Sequence, residues 1–149
     1  MGNRYCRWPG KFYSKQVEYI LYLIERTFKD TGIDVEKYLL VCEQLGQTPD
    51  PSKMPPERGM FPVEVQEAFY LHDVLSDRWD GASGYYMGKD FSALGTYLEV
   101  FNILDPLQTL WFLKHIEFYN SKVINDKQEA KRKAEERKLK SKTRKWPKK

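Results

Sequence analysis

Hydrophobic residues recur at three- and four-residue spacing in several segments of the chain, which is the pattern of amphipathic helices. The first segment starts at Ser14. Its apolar face carries Val17, Ile20, Leu21, Ile24 and Phe28. A second segment begins at about Asp34, whose side chain can cap a helix, and it ends before Gly46, which favours a left-handed turn. The pattern therefore predicts two helices in the first third of the chain.

Three further helices are predicted after a proline-rich segment. Residues 47–62 contain five prolines and predict an extended linker without a regular element. A third helix is predicted to begin at Pro62, a fourth to be capped by Asp90, and a fifth to begin at Asp105-Pro106. Residues 76–89 predict a glycine-punctuated loop, and no alternating β-branched pattern longer than four residues is present. The sequence thus predicts an all-α fold of about five helices in one compact domain.

Charge divides the chain into two parts. Residues 126–149 hold twelve Lys or Arg against four Asp or Glu, whereas residues 1–125 hold thirteen against seventeen. We therefore expect a helical domain at 1–125 and a basic C-terminal tail at 126–149, which continues the fifth helix because its helix propensity is high. Such a tail either docks on nucleic acid or an acidic protein, or is a solvated helix that maintains solubility.

Length and composition exclude several classes of protein. A chain of 149 residues with 41% hydrophobic content is large enough for a packed core. No run of 18 apolar residues and no apolar N-terminal signal are present, so we expect neither a membrane span nor secretion by that route. The two cysteines, Cys6 and Cys42, are too few for a zinc site or a disulfide framework, and we expect both to be reduced.

The glycine-rich segment 81–90 superficially resembles a phosphate-binding loop, because it ends in Gly-Lys and precedes a helix. Ser83 stands where such a loop needs its first glycine, and Asp90 replaces the hydroxyl residue that reaches magnesium. Its carboxylate would also repel a phosphate at the start of the following helix. We expect the glycines to form tight turns instead.

The remaining candidates for chemistry are few. His72 lies on an apolar helix face, which predicts a hydrogen-bonded core histidine, and Asp73 points about 100° away from it on a helix, so one metal ion cannot readily bind both. Cys42 lies on an apolar stripe, where a buried thiol is inert. We expect no metal, no cofactor and no enzyme activity.

The segment around Asp77 concentrates charge beside aromatic residues, and two interpretations are open. It is either a salt-bridged corner that closes the loop over the core, or a contact surface for a protein partner. In the second case the anchors are Trp79, Tyr85 and Tyr86, together with Arg78.

An ordered set of motifs lies between Phe61 and Ile103. It consists of Phe-Pro-x-Glu-Val-x-x-Ala-Phe at 61–69, Asp-Arg-Trp at 77–79, Gly-Lys-Asp-Phe-Ser-Ala-Leu at 88–94, and a short helix ending near Ile103. This segment, less than a third of the chain, resembles the small tail-assembly chaperones of tailed bacteriophages. The resemblance implies a helical, non-enzymatic morphogenesis protein that binds tape-measure or tail-tube subunits, or a small structural protein of the virion. Its expected location is the host cytoplasm during phage assembly, or the virion.

The alternative hypothesis is a nucleic-acid-binding module that uses the basic tail. The residues expected to contact phosphates are Lys131, Arg132, Lys133, Arg137, Lys138, Lys140, Lys142, Arg144 and Lys145, and Trp146 is expected to stack on a base. Homo-oligomerisation is a further option, because the first and fifth helices are apolar over more than one face.

Overall fold

The computed structural model of the protein describes residues 14–29 and 34–144, with side chains up to residue 141. The helices are α1 (Ser14–Phe28), α2 (Val35–Gln44), α3 (Val63–Val74), α4 (Leu94–Val100) and α5 (Pro106–Arg144). A two-stranded antiparallel hairpin, β1 (Asp77–Trp79) and β2 (Tyr86–Lys89), lies between α3 and α4. The prediction of an all-α fold with five helices is confirmed for the described residues.

Three of the predicted helix boundaries follow directly from local chemistry. The Asp34 side chain accepts a hydrogen bond from the backbone N–H of Lys37 at the start of α2, and Gly46 adopts a φ of 62° just after its end. The Asp105 carboxylate accepts a hydrogen bond from the backbone N–H of Gln108 at 3.1 Å in the first turn of α5. The two carboxylates satisfy backbone N–H groups that the start of a helix leaves without a partner.

The core is formed by α3 and α5, which run side by side in the same direction, with α1 packed against them. The Thr109 hydroxyl of α5 donates to Glu67 of α3 at 3.0 Å. Further towards the C-terminal ends of both helices, the His72 ring of α3 lies 2.9 Å from Glu117 of α5. The buried cluster consists of Ile20, Leu23, Ile24, Phe61, Val65, Ala68, Phe69, Leu71, Leu75, Phe112, Leu113 and Ile116. Leu94 and Leu98 of α4 pack on this cluster, together with Phe91 and Phe101 just outside the helix.

The proline-rich linker is more regular than the sequence predicts. It contains two short 3-10 helical turns, Pro51–Lys53 and Arg58–Met60. The first turn forms because the Asp50 carboxylate accepts a hydrogen bond from the backbone N–H of Ser52 at 2.9 Å, and because proline presets the φ angle of its first residue.

Two arginines tie the linker to the helices. The Arg26 guanidinium on α1 donates to the carbonyl oxygens of Ser52 and Met54 at 2.8 and 2.9 Å. Arg58 forms an ion pair with Asp73 on α3. The linker has few backbone donors, and it is held in place by the Arg26 side chain of α1 and by its own Arg58 side chain.

Three local predictions are wrong. Residues 76–89 contain the hairpin and not only a loop, because their strands are too short to show an alternating pattern and are stabilised by contacts distant in sequence. Asp90 does not cap α4: its carboxylate accepts hydrogen bonds from Ser92, two residues on, and the helix starts only at Leu94. Pro62 precedes α3 and is not its first residue.

The fifth helix continues without a break from the core into the basic tail, as predicted. It spans 39 residues, which corresponds to a length of about 58 Å. Its first half supplies buried residues such as Phe112 and Ile116, whereas residues 129–141 are exposed on all sides of the helix. One helix therefore serves both the core and the solvated tail.

Two leucines on α5 test the position of the core. Leu113 is fully buried, whereas Leu107 is 65% exposed. We expect Leu113→Ala to lower the free energy of unfolding by about 2–5 kcal/mol, because it removes buried methyl groups and leaves a cavity. The same change at Leu107 should cost less than about 0.5 kcal/mol. Urea denaturation followed by circular dichroism measures both values, and equal losses would contradict the packing described.

Candidate functional site

The hairpin projects from the body and carries the residues that the sequence singles out. Its strands pair Arg78 with Gly88 and Trp79 with Tyr86, so that Met87 is an extra residue that forms a bulge. Bulges of this kind change the direction in which the neighbouring side chains point. Tyr86 is buried, whereas its neighbour Met87 is exposed.

The turn of the hairpin is held by Asp80. Its carboxylate accepts hydrogen bonds from the backbone N–H and the hydroxyl of Ser83, and its carbonyl oxygen accepts one from Gly84 at 2.8 Å. Gly84 has a φ of 67°, which other residues rarely adopt. The N–H groups of Ser83 and Gly84 and the Ser83 hydroxyl therefore donate within the turn itself. A phosphate-binding loop would instead need such donors to point towards the phosphate.

Tyr86 attaches the hairpin to α5. Its backbone N–H donates to the side-chain oxygen of Asn125 at 3.1 Å, and its carbonyl accepts from the side-chain nitrogen of Asn125 at 3.2 Å. The side-chain amide of Asn125 thus makes the two backbone hydrogen bonds that a neighbouring strand would make with Tyr86. The prediction that Tyr86 is an exposed contact residue is wrong, because its side chain is only 1% exposed.

The Tyr86 hydroxyl is also engaged. It donates to Asp77 at 3.1 Å and accepts from the side-chain nitrogen of Asn120 at 3.3 Å. Burial raises the pKa of Tyr86 above its ordinary value, and the nearby carboxylates of Glu117 and Asp77 raise it further. The phenol is therefore neutral and acts as a donor in the attachment of the hairpin.

Glu117 is the buried carboxylate beneath the hairpin. One oxygen lies 2.9 Å from Nε2 of His72, and the other accepts from the Ser121 hydroxyl at 2.6 Å. Burial alone would raise the pKa of Glu117, but the hydrogen bonds from His72, Ser121 and the backbone N–H of Lys89, with the charge of His72, leave it below its ordinary value. The carboxylate is therefore ionised, and each of its oxygens has a hydrogen-bond partner.

Lys89 closes the other side of this network. Its ammonium group lies 2.8 Å from Asp77 and donates to the carbonyl oxygen of Leu75, at the C-terminal end of α3, at 3.0 Å. A cation at this end of a helix also interacts favourably with the helix dipole. Burial acts to raise the pKa of Asp77, but hydrogen bonds from Lys89 and Tyr86 hold it below its ordinary value. The segment is a salt-bridged corner, but the partner of Asp77 is Lys89 across the hairpin and not its neighbour Arg78.

Four side chains of the hairpin are exposed. Trp79, Tyr85 and Met87 are 49%, 56% and 55% exposed, and Arg78 is exposed beside them. The Trp79 ring packs edge-on against the buried Tyr86 ring, with 4.9 Å between the ring centres. We call Arg78, Trp79, Tyr85 and Met87 the hairpin face.

His72 is a hydrogen-bonded core histidine, as the sequence predicts. The carboxylate of Asp73 lies 4.0 Å from Nδ1 of His72 and forms an ion pair with Arg58. Within residues 14–29 and 34–141, no three His, Cys, Asp or Glu side chains are grouped so that they could hold a metal ion.

The basic tail presents the second predicted site. Lys131, Arg132, Lys133, Arg137, Lys138 and Lys140 are all exposed on α5. Lys133 forms an ion pair with Glu129 one turn earlier. Lys142 and Arg144 belong to the helix, but their side chains are outside the described residues, as are Lys145 and Trp146 altogether.

The two sites meet at a groove. The hairpin turn, Ser83 to Tyr85, forms one wall, and the start of the tail forms the other through Asn125, Gln128, Arg132 and Glu135. Sequence reasoning missed this proximity, because it depends on the attachment of Tyr86 to Asn125, which are 39 residues apart.

Comparisons with known proteins found no matching family model, no matching curated sequence and no matching solved structure. Among the described helices, none combines the length and the apolar character needed to cross a membrane.

Three glycines test the attachment of the hairpin. Gly88 has a φ of 95°, and a Cβ atom there would lie 2.9 Å from an oxygen of Glu117. We expect Gly88→Ala to lower the free energy of unfolding by more than about 2 kcal/mol, since it adds backbone strain and displaces a buried carboxylate. Gly84→Ala meets no atom within 4 Å, so the strain of its positive φ alone should cost about 1–2 kcal/mol.

Gly81→Ala is the matched control, because a Cβ atom there meets nothing within 4 Å and no positive φ is involved. It should change stability by less than about 0.5 kcal/mol. Thermal unfolding of the three variants gives the order, and a Gly88→Ala protein as stable as Gly81→Ala would contradict the close approach of the hairpin to Glu117.

Acid should destabilise the protein through Glu117. A carboxyl whose pKa is lowered on folding stabilises the fold fully above its ordinary pKa of 4.5, and this stabilisation is lost as the pH falls through the lower, folded value. We therefore expect Glu117→Gln to flatten the fall in unfolding free energy below pH 4.5. Glu99→Gln, an exposed position on α4, should leave the profile as in the unaltered protein. Identical profiles for the two variants would show that Glu117 carries no such contribution.

Proposed function

We propose that the protein is a non-enzymatic bacteriophage morphogenesis protein, a tail-assembly chaperone or small virion structural protein, which binds another tail protein through the hairpin face. It would act in the host cytoplasm during assembly or within the virion. The observation that carries the proposal is the combination of exposed aromatic side chains with a hairpin that is fixed by a buried polar network.

The chemistry of the hairpin face suits a protein partner. Trp79 and Tyr85 leave about half of their surface exposed, and Arg78, which precedes Trp79 in the chain, is also exposed. Trp, Tyr and Arg dominate binding energy at protein interfaces, because they bury large areas and also form hydrogen bonds. Covering the exposed half of either aromatic ring would contribute about 2 kcal/mol.

The attachment of the hairpin lowers the cost of binding. A mobile loop loses conformational entropy when a partner orders it. Here Tyr86 is bonded to Asn125 through both of its backbone groups, and Lys89 is bonded to Asp77 and to the end of α3. The hairpin face is therefore ordered before a partner arrives, and more of the contact energy appears as affinity.

The resemblance to tail-assembly chaperones supports the same surface. The segment 61–103 forms α3, the hairpin and α4, which are continuous in the fold. Phe61, Ala68 and Phe69 of its motifs are core residues, and Gly88 and Lys89 attach the hairpin. Trp79 belongs to the same motifs but is half exposed, so the core alone does not require it.

The buried network supports a role without catalysis. His72, Glu117 and Ser121 are the residue types of a nucleophile and its base, but the Ser121 hydroxyl donates to Glu117 and not to His72. A serine nucleophile needs the histidine as its direct acceptor. His72 and Glu117 are also buried, with the backbone of Gly88 against the carboxylate, so the arrangement holds the fold together without offering a reactive group.

Two tyrosines of nearly equal exposure provide the test. Tyr85 is 56% exposed on the hairpin face, and Tyr19 is 60% exposed on α1. We expect Tyr85→Ala and Trp79→Ala to weaken binding to the partner by more than about tenfold each, whereas Tyr19→Ala should leave it unchanged. The partner is sought by co-purifying the protein with the tape-measure, tail-tube and baseplate proteins of the same phage, and affinities of the variants are then measured by calorimetry.

Failure of all of these tail proteins to co-purify would overturn the proposed function. Binding that is equally sensitive to Tyr19→Ala would place the contact elsewhere than on the hairpin face. A neighbouring gene for a long helical tape-measure protein is the cheapest independent support.

A further inference from the structure

The tail part of α5 is a helix with an uneven distribution of charge around its axis. At 3.6 residues per turn, Lys127, Lys131 and Lys138 fall on one stripe, and Lys133, Arg137 and Lys140 on a second stripe about 130° away. Between the two stripes lie only the small residues Ala130, Ala134 and Ser141. We call this side of residues 127–141 the basic half.

The acidic residues occupy the other side. Glu129, Glu135 and Glu136 lie there together with Gln128, Arg132 and Leu139, and residues 127–141 place no carboxylate in the basic half. The hairpin turn borders a groove lined by Gln128, Arg132 and Glu135 of the acidic side, and Lys131, at the edge of the basic half, also lines it. Residues 129–141 are exposed throughout, so the described part of the chain leaves the basic half open.

The occupant of this surface follows from its shape and chemistry. A partner helix needs an apolar stripe at three- and four-residue spacing, and Leu139 is the single large apolar residue of 127–141 and lies on the acidic side. Two cationic stripes with a narrow floor of small residues instead match two parallel rows of phosphates on either side of a groove. The major groove of B-form DNA is about 12 Å wide, and a helix with its side chains is about 10–12 Å in diameter.

We propose that residues 127–141 of α5 bind in the major groove of duplex DNA. Ala130, Ala134 and Ser141 face the base edges, and each cationic stripe faces one phosphate strand. Small side chains on the floor allow the helix axis to approach the bases. The Glu129–Lys133 ion pair is exposed, contributes little to stability, and frees Lys133 readily for a phosphate.

This geometry distinguishes duplex DNA from other polyanions. The major groove of A-form RNA is deep and too narrow for side chains to read, and a single strand offers only one row of phosphates. The binding is independent of the proposed function, because it uses α5 and not the hairpin face. Loss of DNA binding would leave the tail-protein interaction intact, and the reverse also holds.

Matched substitutions on the two sides of the helix test the proposal in the full chain. Ala134→Glu puts a carboxylate on the floor of the basic half, and Leu139→Glu makes the same change of charge on the acidic side. A second pair, Arg137→Gln and Arg132→Gln, removes one cation from each side. All four positions are exposed on the helix, and circular dichroism checks that the helix is retained.

Fluorescence anisotropy measures binding to a labelled DNA duplex, to its single strand, to an RNA duplex and to polyglutamate. We expect the DNA duplex to bind most tightly, with a loss of about a thousandfold between about 50 and 200 mM salt for six phosphate contacts. Ala134→Glu should weaken this binding at least about tenfold more than Leu139→Glu, and Arg137→Gln more than Arg132→Gln.

Equal losses within each pair would show binding through net charge alone and would overturn the placement in the groove. Tighter binding of RNA, single strands or polyglutamate would overturn the choice of duplex DNA. Absence of duplex binding at about 50 mM salt would overturn the proposal as a whole.

Discussion

The buried carboxylate of Glu117 is the point at which α3, the hairpin and α5 meet. His72 reaches it from α3, the backbone N–H of Lys89 from β2, and Ser121 from one turn further along α5. A buried charge that loses one of its donors is costly, so each of these elements stabilises the position of the other two. Gly88 is part of the same constraint, because a side chain there would occupy the place of the carboxylate.

The position of the hairpin has consequences beyond the network itself. With Tyr86 and Lys89 fixed inward, the side chains of Arg78, Trp79, Tyr85 and Met87 remain exposed. The same helix that receives the hairpin then leaves the body as a basic helix. One continuous element, α5, thus carries both the attachment of the hairpin and the basic tail.

The sequence predicted the parts of the fold that depend on local chemistry. The boundaries of α2 and the start of α5 follow from Asp34, Gly46 and Asp105, whose effects reach only a few residues. The hairpin was missed because its strands have three and four residues, and its stability comes from contacts such as Asn125 with Tyr86 that no periodicity reveals.

The same difference between local and distant contacts explains the outcome for the candidate site. The sequence singled out the aromatic residues of the glycine-rich segment, but composition did not show that Tyr86 is buried while Trp79 and Tyr85 are exposed. Likewise, the sequence offered a salt-bridged corner around Asp77 without naming its partner, which is Lys89 on the opposite strand. The pairing of β1 with β2 determines both the burial of Tyr86 and the ion-pair partner of Asp77. Residues adjacent in sequence do not reveal this pairing.

Amide hydrogen exchange on the full chain tests the central claim most directly, namely that a fixed hairpin and an open basic helix coexist in one protein. The account predicts that the backbone N–H groups of Tyr86 and Lys89 exchange as slowly as those of the buried part of α5, because both are bonded to side chains of that helix. It predicts much faster exchange for residues 130–141, which no packing protects. Fast exchange at Tyr86 and Lys89, or strong protection of 130–141 in the isolated protein, would contradict it.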